Sequence, residues 1–264
     1  FPYKKYKKLS PLIFGLAIIL VILLFTPLGT EINGARRWLN LPFGLSFQPN
    51  EILKIAFIMY LSYWLSEKTQ AEKNSWGTVG AFIIFLIVIG VLMVLQPATS
   101  AFFILAATAF IIYFLSGIKI RYILATILII CLLLVGGYMG LKKMYPNDYR
   151  LARINSFLNS EEEKIDVSGK DYQINQSLMA IGSGGLKGVG FGNAVSKYNN
   201  YLPEPIGDSI FAIIAQEFGL LGSVLLILLY LALLIEGFQI SKRCSDNFGK
   251  LLSFGIVVLP FIQM

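Results

Sequence analysis

Apolar residues are arranged along this chain in six long runs that are separated by polar connections. Each run has at least about the 20 residues that a helix needs to cross a hydrocarbon layer of about 30 Å. The predicted spans are 9–28, 47–65, 78–96, 100–118, 121–141 and 209–240, and a seventh run, 251–264, is too short to cross. The pattern predicts an all-α polytopic membrane protein with a single transmembrane domain over residues 1–264.

Basic residues mark one side of this predicted bundle. They cluster before the first span, after the second, between the fourth and the fifth, and after the sixth. Counting turns places all four clusters on the same side, which the positive-inside rule assigns to the cytoplasm. We therefore expect a cytoplasmic N-terminal segment and a large extracytoplasmic loop, 142–208, before the last complete span. The aromatic residues among the glycines of this loop favour an ordered segment.

The amino-acid composition excludes several classes of function. The chain of 264 residues has a net charge of +7, which the topology explains, and no histidine, so imidazole bases, nucleophiles and ligands are excluded. Cys131 and Cys244 have neither zinc nor redox spacing and are expected to be plain thiols. No basic and aromatic module of the kind that reads nucleic acid is present. Because the chain begins with Phe1 and ends within an apolar run, we expect it to be part of a longer protein.

Ionisable residues open the second predicted span. Pro49 suits the first helical position, and Glu51 follows in the first turn, near the positive end of the helix dipole. Lys54 stands three residues after Glu51, so the two side chains can pair on one face. Two interpretations remain open: an interfacial cap with an ion pair, or groups that line a polar cavity inside the membrane.

The first outer connection carries Arg36 and Arg37, followed by Trp38. Such a cluster is typical of an aromatic belt with cations that reach the interface. The alternative is that the two guanidiniums bind a pyrophosphate, since the geometry of their planar donor groups matches that of phosphate oxygens.

Six glycines occur among the eleven residues 182–192, next to Ser183 and Lys187. A Walker loop needs Gly-Lys-Ser/Thr between a strand and a helix, and that pattern is absent, so nucleotide binding is not expected. Glycines at this density indicate close backbone packing and positive φ angles.

Asp208 comes directly before the last complete span. An N-cap is the ordinary role of an aspartate there. A carboxylate at a helix N-terminus also stays ionised at neutral pH, and could accept a proton or bind a divalent ion. Glu204 is close by in the sequence, and Glu217 lies about two turns into the apolar span, where a carboxylate is unusual.

Successive motifs resemble those of the SEDS family (shape, elongation, division and sporulation), most closely its division branch. They are 33–38 (NGARRW), 47–51 (FQPNE) with Lys54, 96–97 (QP), 156–159 (SFLN), 172–173 (YQ), 176–177 (QS), 180–185 (AIGSGG) and 201–205 (YLPEP). The resemblance covers nearly the whole chain. It implies a ten-helix bacterial inner-membrane protein, of which the third to eighth helices, and part of the ninth, are present here.

The resemblance also implies an activity: inverting polymerisation of lipid II into glycan strands at the outer face of the cytoplasmic membrane during cell division. Asp208 aligns with the essential outer aspartate of the family, and Glu51 and Lys54 align with the polar pair of its central cavity. Further candidates for substrate contact are Arg36, Arg37, Gln96, Ser183 and Glu204. The chain departs from the family at Ile206-Gly207 before Asp208, at Ser209 after it, at Ala98 and at Gln216.

In this hypothesis Asp208 is the general base, or holds a divalent cation such as Mg²⁺ or Mn²⁺; no organic cofactor is expected. The expected partners are lipid II and the growing strand, a class B penicillin-binding protein and other division membrane proteins. The alternatives are a lipid II flippase that uses the Glu51–Lys54 cavity, and a non-catalytic scaffold that activates the transpeptidase.

Overall fold

The computed structural model describes residues 3–32, 35–40, 46–96, 98–144, 170–197 and 209–263. These ranges contain the helices α1 (Tyr3–Leu23), α2 (Pro49–Glu67), α3 (Gln70–Lys73), α4 (Trp76–Leu95), α5 (Thr99–Leu115), α6 (Ile120–Met144), α7 (Lys170–Ser183), α8 (Ile210–Arg243) and α9 (Asn247–Gln263). A short 3₁₀ helix covers Val195–Lys197. The strands are β1 (Gly29–Ile32), β2 (Ala35–Asn40) and β3 (Ser46–Phe47).

The chain forms two compact units. The first comprises residues 1–134 and 233–264, and the second comprises residues 135–232. Four of the described helices are long and apolar enough to cross a membrane: α1, α4, the first part of α6 and α8. The fold is therefore that of a multi-pass helical membrane protein. The single-domain assignment stays a prediction.

The first unit is built around α2, which packs against α1, α5 and α9. Leu53, Phe57 and Leu61 lie on its buried face and are fully enclosed. On the neighbouring helices, the rings of Phe82 and Tyr113 stack with centroids 4.2 Å apart. A Cβ atom on Gly255 of α9 would lie 2.6 Å from side-chain atoms of Ile58 and Ile112, so this glycine allows the close approach of three helices.

Several polar contacts join two turns of the first unit. Thr69 and Glu72 form a capping box at the start of α3. The buried Lys73 ammonium donates to the carbonyl of Ser116 at 3.1 Å, and the Asn74 side chain accepts from the amide of Lys119 at 2.6 Å. Burial lowers the pKa of Lys73. These bonds fix the α3 turn against the connection between α5 and α6.

A small antiparallel sheet occupies the first outer connection, in the order β1-β2-β3. Sequence analysis predicted the first span to continue to residue 28, and it predicted no strand there. The helix instead ends at Leu23, and the chain turns into β1. A Cβ atom on Gly29 would lie 2.1 Å from the carbonyl oxygen of Leu24, so only glycine fits this turn.

The second unit contains α7, the glycine-rich segment and the first part of α8. Ala180 of α7 packs with Ala194, Ala212 and Ile213 in a small apolar cluster. Helix α8 is interrupted at Gly219, whose φ of 67° and ψ of −165° are not helical. This residue divides α8 into an N-terminal segment, residues 210–218, and a longer segment, residues 220–243.

Candidate functional site

The proposed catalytic residue Asp208 and the neighbouring candidate Glu204 lie outside the described residues. The described chain resumes at Ser209, whose side chain is buried. The Gln173 amide of α7 donates to the Ser209 hydroxyl at 3.4 Å, and α8 begins at Ile210. The residue that follows Asp208 thus contacts α7 and directly precedes α8.

The glycine-rich segment fills the break in α8. Upstream of Gly219, the carbonyls of Gln216 and Glu217 accept hydrogen bonds from the amides of Val189 and Gly190, both at 3.0 Å. Downstream, the amides of Leu220 and Leu221 donate to the carbonyls of Gly185 and Leu186, at 2.9 and 3.2 Å. Polar groups that a helix break would leave unpaired are therefore satisfied by the loop, as a low-dielectric setting requires.

Glycine is required for this contact at particular positions. Gly188 has φ +78°, and a Cβ atom there would lie 2.0 Å from the carbonyl oxygen of Glu217. At Gly184, an added Cβ would lie 2.1 Å from the carbonyl oxygen of Ala215. The prediction that these glycines serve close packing and positive φ angles is confirmed.

Glu217 is held beside the break by an ion pair. Its carboxylate is paired with the Lys197 ammonium, and the Glu217 side chain is only 3% exposed, against 32% for Lys197. Backbone amides of Gly192 and Ala194 also bond to this carboxylate. A buried carboxylate in a span therefore has three partners, all supplied by residues 192–197.

The Gln216 side chain forms two further hydrogen bonds near the break. Its Nε2 donates to the Ser183 hydroxyl at 2.9 Å, and its Oε1 accepts from the Ser196 amide at 3.4 Å. The Ser183 hydroxyl in turn donates to the carbonyl of Ala180 at 2.8 Å. The candidate Ser183 is thus engaged in holding α7 to α8, and its substrate role stays a prediction.

In the first unit, the predicted pairing of Glu51 with Lys54 is confirmed. The Lys54 Nζ lies 2.7 Å from Glu51 Oε2, and the Lys54 side chain is 2% exposed while that of Glu51 is 56% exposed. Helix α2 begins at Pro49, as the sequence predicts. A buried ammonium therefore reaches an accessible carboxylate at the start of this helix.

Two buried amides in the first unit lack hydrogen-bond partners within the described ranges. They belong to Asn50, beside Glu51, and to the candidate Gln96, at the C-terminal end of α4; both side chains are fully enclosed. An unpaired buried amide is unfavourable, so these groups are available to a water or a polar ligand. This arrangement agrees with a polar interior at these helix ends.

The structure separates the environments of Arg36 and Arg37. Arg36 stands opposite Glu31 across the sheet, with Nε 3.3 Å from Glu31 Oε2, and both side chains are half exposed. Arg37 falls between the paired positions Arg36 and Trp38, because the register of β1 shifts between Thr30 and Glu31. Such a bulge re-aims side chains. The pyrophosphate interpretation stays a prediction.

Sequence analysis missed Lys197 and the role of Gln216. Lys197 lies in a polar loop twenty positions before its partner, and nothing in the local pattern marks that distance. The sequence does contain one indication of such a contact: Glu217 lies inside an apolar span, two residues before Gly219. A buried carboxylate requires a partner, so a cation from elsewhere in the chain is expected beside it.

Within the described ranges, no group of three or more acidic or cysteine side chains could hold a metal ion. Cys131 and Cys244 are free thiols, as predicted.

Known proteins resemble this chain along its whole length. A sequence model of the cell cycle protein family of FtsW, RodA and SpoVE matches residues 1–264. The probable peptidoglycan glycosyltransferase FtsW of Trichlorobacter lovleyi is 35% identical over 254 residues, which cover 96% of this chain and 64% of the relative. Stage V sporulation protein E of Bacillus subtilis is 34% identical over 266 residues, which cover 99% of this chain and 69% of the relative.

Solved structures share the fold. One, described as the structural coordination of polymerization and crosslinking by a peptidoglycan synthase complex, has a TM-score of 0.75 at 22% identity and covers all of this chain and 70% of its own. The rod shape determining protein RodA of Thermus thermophilus has a TM-score of 0.62 at 22% identity and covers 98% of this chain and 65% of its own.

This chain spans 64% of the length of the FtsW relatives from Trichlorobacter lovleyi and Marinobacter nauticus. The match of the family model over residues 1–264, together with identities above 30% to curated relatives, settles its membership. The chain belongs to the FtsW, RodA and SpoVE family of cell cycle proteins, the SEDS family.

Proposed function

We propose that this chain is the central part of a peptidoglycan glycosyltransferase that polymerises lipid II during cell division. The observation that carries the proposal is the match along the whole chain to relatives named as probable peptidoglycan glycosyltransferases. The protein acts in the bacterial cytoplasmic membrane, with the basic N-terminal segment inside and residues 142–208 outside. The distribution of basic residues supports this orientation.

The reaction is a displacement at a sugar carbon. The 4-hydroxyl of an incoming lipid II attacks the anomeric carbon of the growing strand, a new glycosidic bond forms, and the bond to undecaprenyl pyrophosphate breaks with inversion. The hydroxyl proton passes to Asp208 as general base. In a variant of this proposal, Asp208 would hold Mg²⁺ or Mn²⁺, which would supply Lewis-acid activation of the attacking hydroxyl.

The remaining candidates bind the substrates. Cationic groups offset the charge that develops on the leaving pyrophosphate, and polar groups hold the sugars. The cations are Arg36, Arg37 and Lys54; the polar and acidic groups are Glu51, Gln96, Ser183 and Glu204. The amide of Gln96 is buried and has no hydrogen-bond partner among the described residues, which supports its place in this set.

The proposed protein partner is a class B penicillin-binding protein, which crosslinks the product, along with other division membrane proteins. The fold shared with a chain from a peptidoglycan synthase complex supports this assignment.

The test uses the full-length parent protein, reconstituted with lipid II. Asp208→Asn preserves the size of the side chain and removes the base, so we expect loss of glycan polymer, while membrane insertion is unchanged. Asp171→Asn, which neutralises an aspartate at the start of α7, is the matched control. Polymer formation by Asp208→Asn at the wild-type rate contradicts the assignment.

The same preparation separates the alternatives. A flippase moves lipid II between leaflets and forms no polymer with either variant. A scaffold makes no polymer alone, and its Asp208→Asn variant still complements a division-defective strain. Polymerisation that stops on adding EDTA and returns with Mg²⁺ or Mn²⁺ shows that the reaction needs a divalent cation, and weaker Mn²⁺ binding by Asp208→Asn than by the wild type then supports Asp208 as its ligand.

A further inference from the structure

Apolar side chains of the loop that fills the helix break are exposed. We define this loop as residues 184–195. The exposed fractions are 67% for Leu186, 42% for Val189 and 81% for Phe191. Exposed apolar side chains that lie together on one ordered loop mark a surface that contacts a partner or a membrane.

These side chains continue the apolar surface of α8. The Leu186 carbonyl accepts from the Leu221 amide, and the Phe191 ring lies 6.1 Å from the ring of Phe218. Phe218, Leu220 and Leu221 are themselves exposed by 44%, 55% and 64%. Helix α8 is long and apolar enough to cross a membrane, and the loop continues its exposed apolar surface.

The position of the break fixes the depth of the loop. The segment of α8 after Gly219, residues 220–243, is about 36 Å long, slightly more than the hydrocarbon layer of about 30 Å. Its far end carries Lys242 and Arg243, which mark one membrane interface. Gly219 and the attached loop therefore lie at the opposite interface, where aromatic side chains are favoured.

The loop also has the charge pattern of an interfacial element. The exposed Lys187 lies between Leu186 and Val189, so its stem can follow the apolar surface while its ammonium reaches lipid phosphates. Backbone groups facing α8 are already hydrogen-bonded, so contact with lipid leaves these groups satisfied.

We infer that residues 184–195 are a membrane anchor, whose Leu186, Val189 and Phe191 side chains insert among the phospholipid acyl chains just below the headgroups. The anchor holds the N-terminal segment of α8 at a fixed depth. The inference rests on the membrane fold and the loop contacts, and it is independent of the catalytic role proposed for Asp208.

The test measures lipid contact at single positions. In a background with Cys131→Ala and Cys244→Ser, a nitroxide label is placed at Phe191→Cys or Leu186→Cys, and the protein is reconstituted in phosphatidylcholine vesicles. Collision rates with oxygen, which partitions into lipid, and with a water-soluble nickel chelate are then compared. Leu228→Cys, exposed in the middle of α8, is the lipid standard, and Ala71→Cys in the α3 turn is the water standard.

We expect the oxygen-to-nickel ratio at Phe191 and Leu186 to exceed that at Ala71 and to approach that at Leu228. Asn193→Cys, on the same loop but polar, is the matched control and stays near Ala71. A ratio at Phe191 equal to that of Ala71 overturns the inference, because the loop then lies in water. Shielding from both reagents also overturns it, because protein then covers the loop. If the label is shielded from both reagents only after a polyprenyl diphosphate is added, the surface binds that lipid, and the inference of phospholipid contact is overturned.

A second measurement leaves both cysteines in place. Brominated phospholipids quench nearby tryptophan, so Phe191→Trp should add a strongly quenched signal to that of the native tryptophans, whereas Asn193→Trp should add a weakly quenched one. Equal quenching of the two variants contradicts lipid insertion at Phe191.

Discussion

Two ion pairs among the described residues have one buried partner each, and they are built in opposite ways. In the Glu51–Lys54 pair, the ammonium is buried and the carboxylate is half exposed. In the Lys197–Glu217 pair, the carboxylate is buried and the ammonium is about one-third exposed. The first joins adjacent turns of α2, whereas the second joins a loop to a helix twenty residues later in the chain.

This difference separates a local contact from a tertiary one. The α2 pair forms wherever that helix forms, so it contributes a buried charge to the interior of the first unit. The α8 pair forms only when the glycine-rich loop occupies the break at Gly219. Formation of the Lys197–Glu217 pair therefore depends on the position of the loop, whereas formation of the Glu51–Lys54 pair depends only on its own helix.

The largest expected effect comes from removing the loop contact. Gly188→Ala places a Cβ atom against the Glu217 carbonyl at a positive φ, so we expect a loss of about 4 kcal/mol in the free energy of unfolding. Thermal unfolding in detergent measures it. Gly182→Ala is the control, because it meets no atom within 4 Å, and we expect it to be neutral or stabilising. Equal stability of the two variants contradicts the packing described for the loop.

A smaller loss is expected when the local pair is broken. Glu51→Ala leaves the Lys54 ammonium buried without its partner, which destabilises the protein by about 3 kcal/mol. Glu67→Ala removes the partner of Lys7 from a pair whose side chains are 34% and 53% exposed, and we expect less than about 1 kcal/mol there. If denaturant unfolding gives the same loss for both variants, Lys54 is not isolated from solvent.

The smallest of the three losses is expected at Lys197. In Lys197→Ala the Glu217 carboxylate keeps its backbone hydrogen bonds from Gly192 and Ala194, so we expect a loss of about 2 kcal/mol. Adding Glu217→Gln should restore part of this stability, because the unpaired charge is then removed. A double variant that is less stable than Lys197→Ala shows that the carboxylate is held chiefly by the backbone.

Sequence analysis predicted what depends on local spacing. A helix occurs at each of the six apolar runs, and four of these helices are long and apolar enough to cross a membrane. The start of α2 follows from Pro49. The Glu51–Lys54 contact follows from helical periodicity. The close-packing role of the glycines followed from their density, because few other functions suit six glycines in eleven residues.

Features that depend on distant contacts were not predicted. The sheet in the first outer connection needs β1 and β2 to pair, and its residues lie too near a predicted span to show a strand pattern. The break at Gly219 was hidden because the apolar run continues through it. Gln216 was noticed only as a departure from the family, and its bonds to Ser183 and Ser196 join positions distant in sequence.

The filled break in α8 also has a consequence for biosynthesis. Residues 185–190 are translated before residues 216–221, so the backbone partners of the break have already emerged when the last complete span enters the bilayer. An interrupted span whose partners came later would meet lipid with bare amides and carbonyls. The order of these elements in the gene thus allows a non-helical glycine to be inserted together with the segment that covers it.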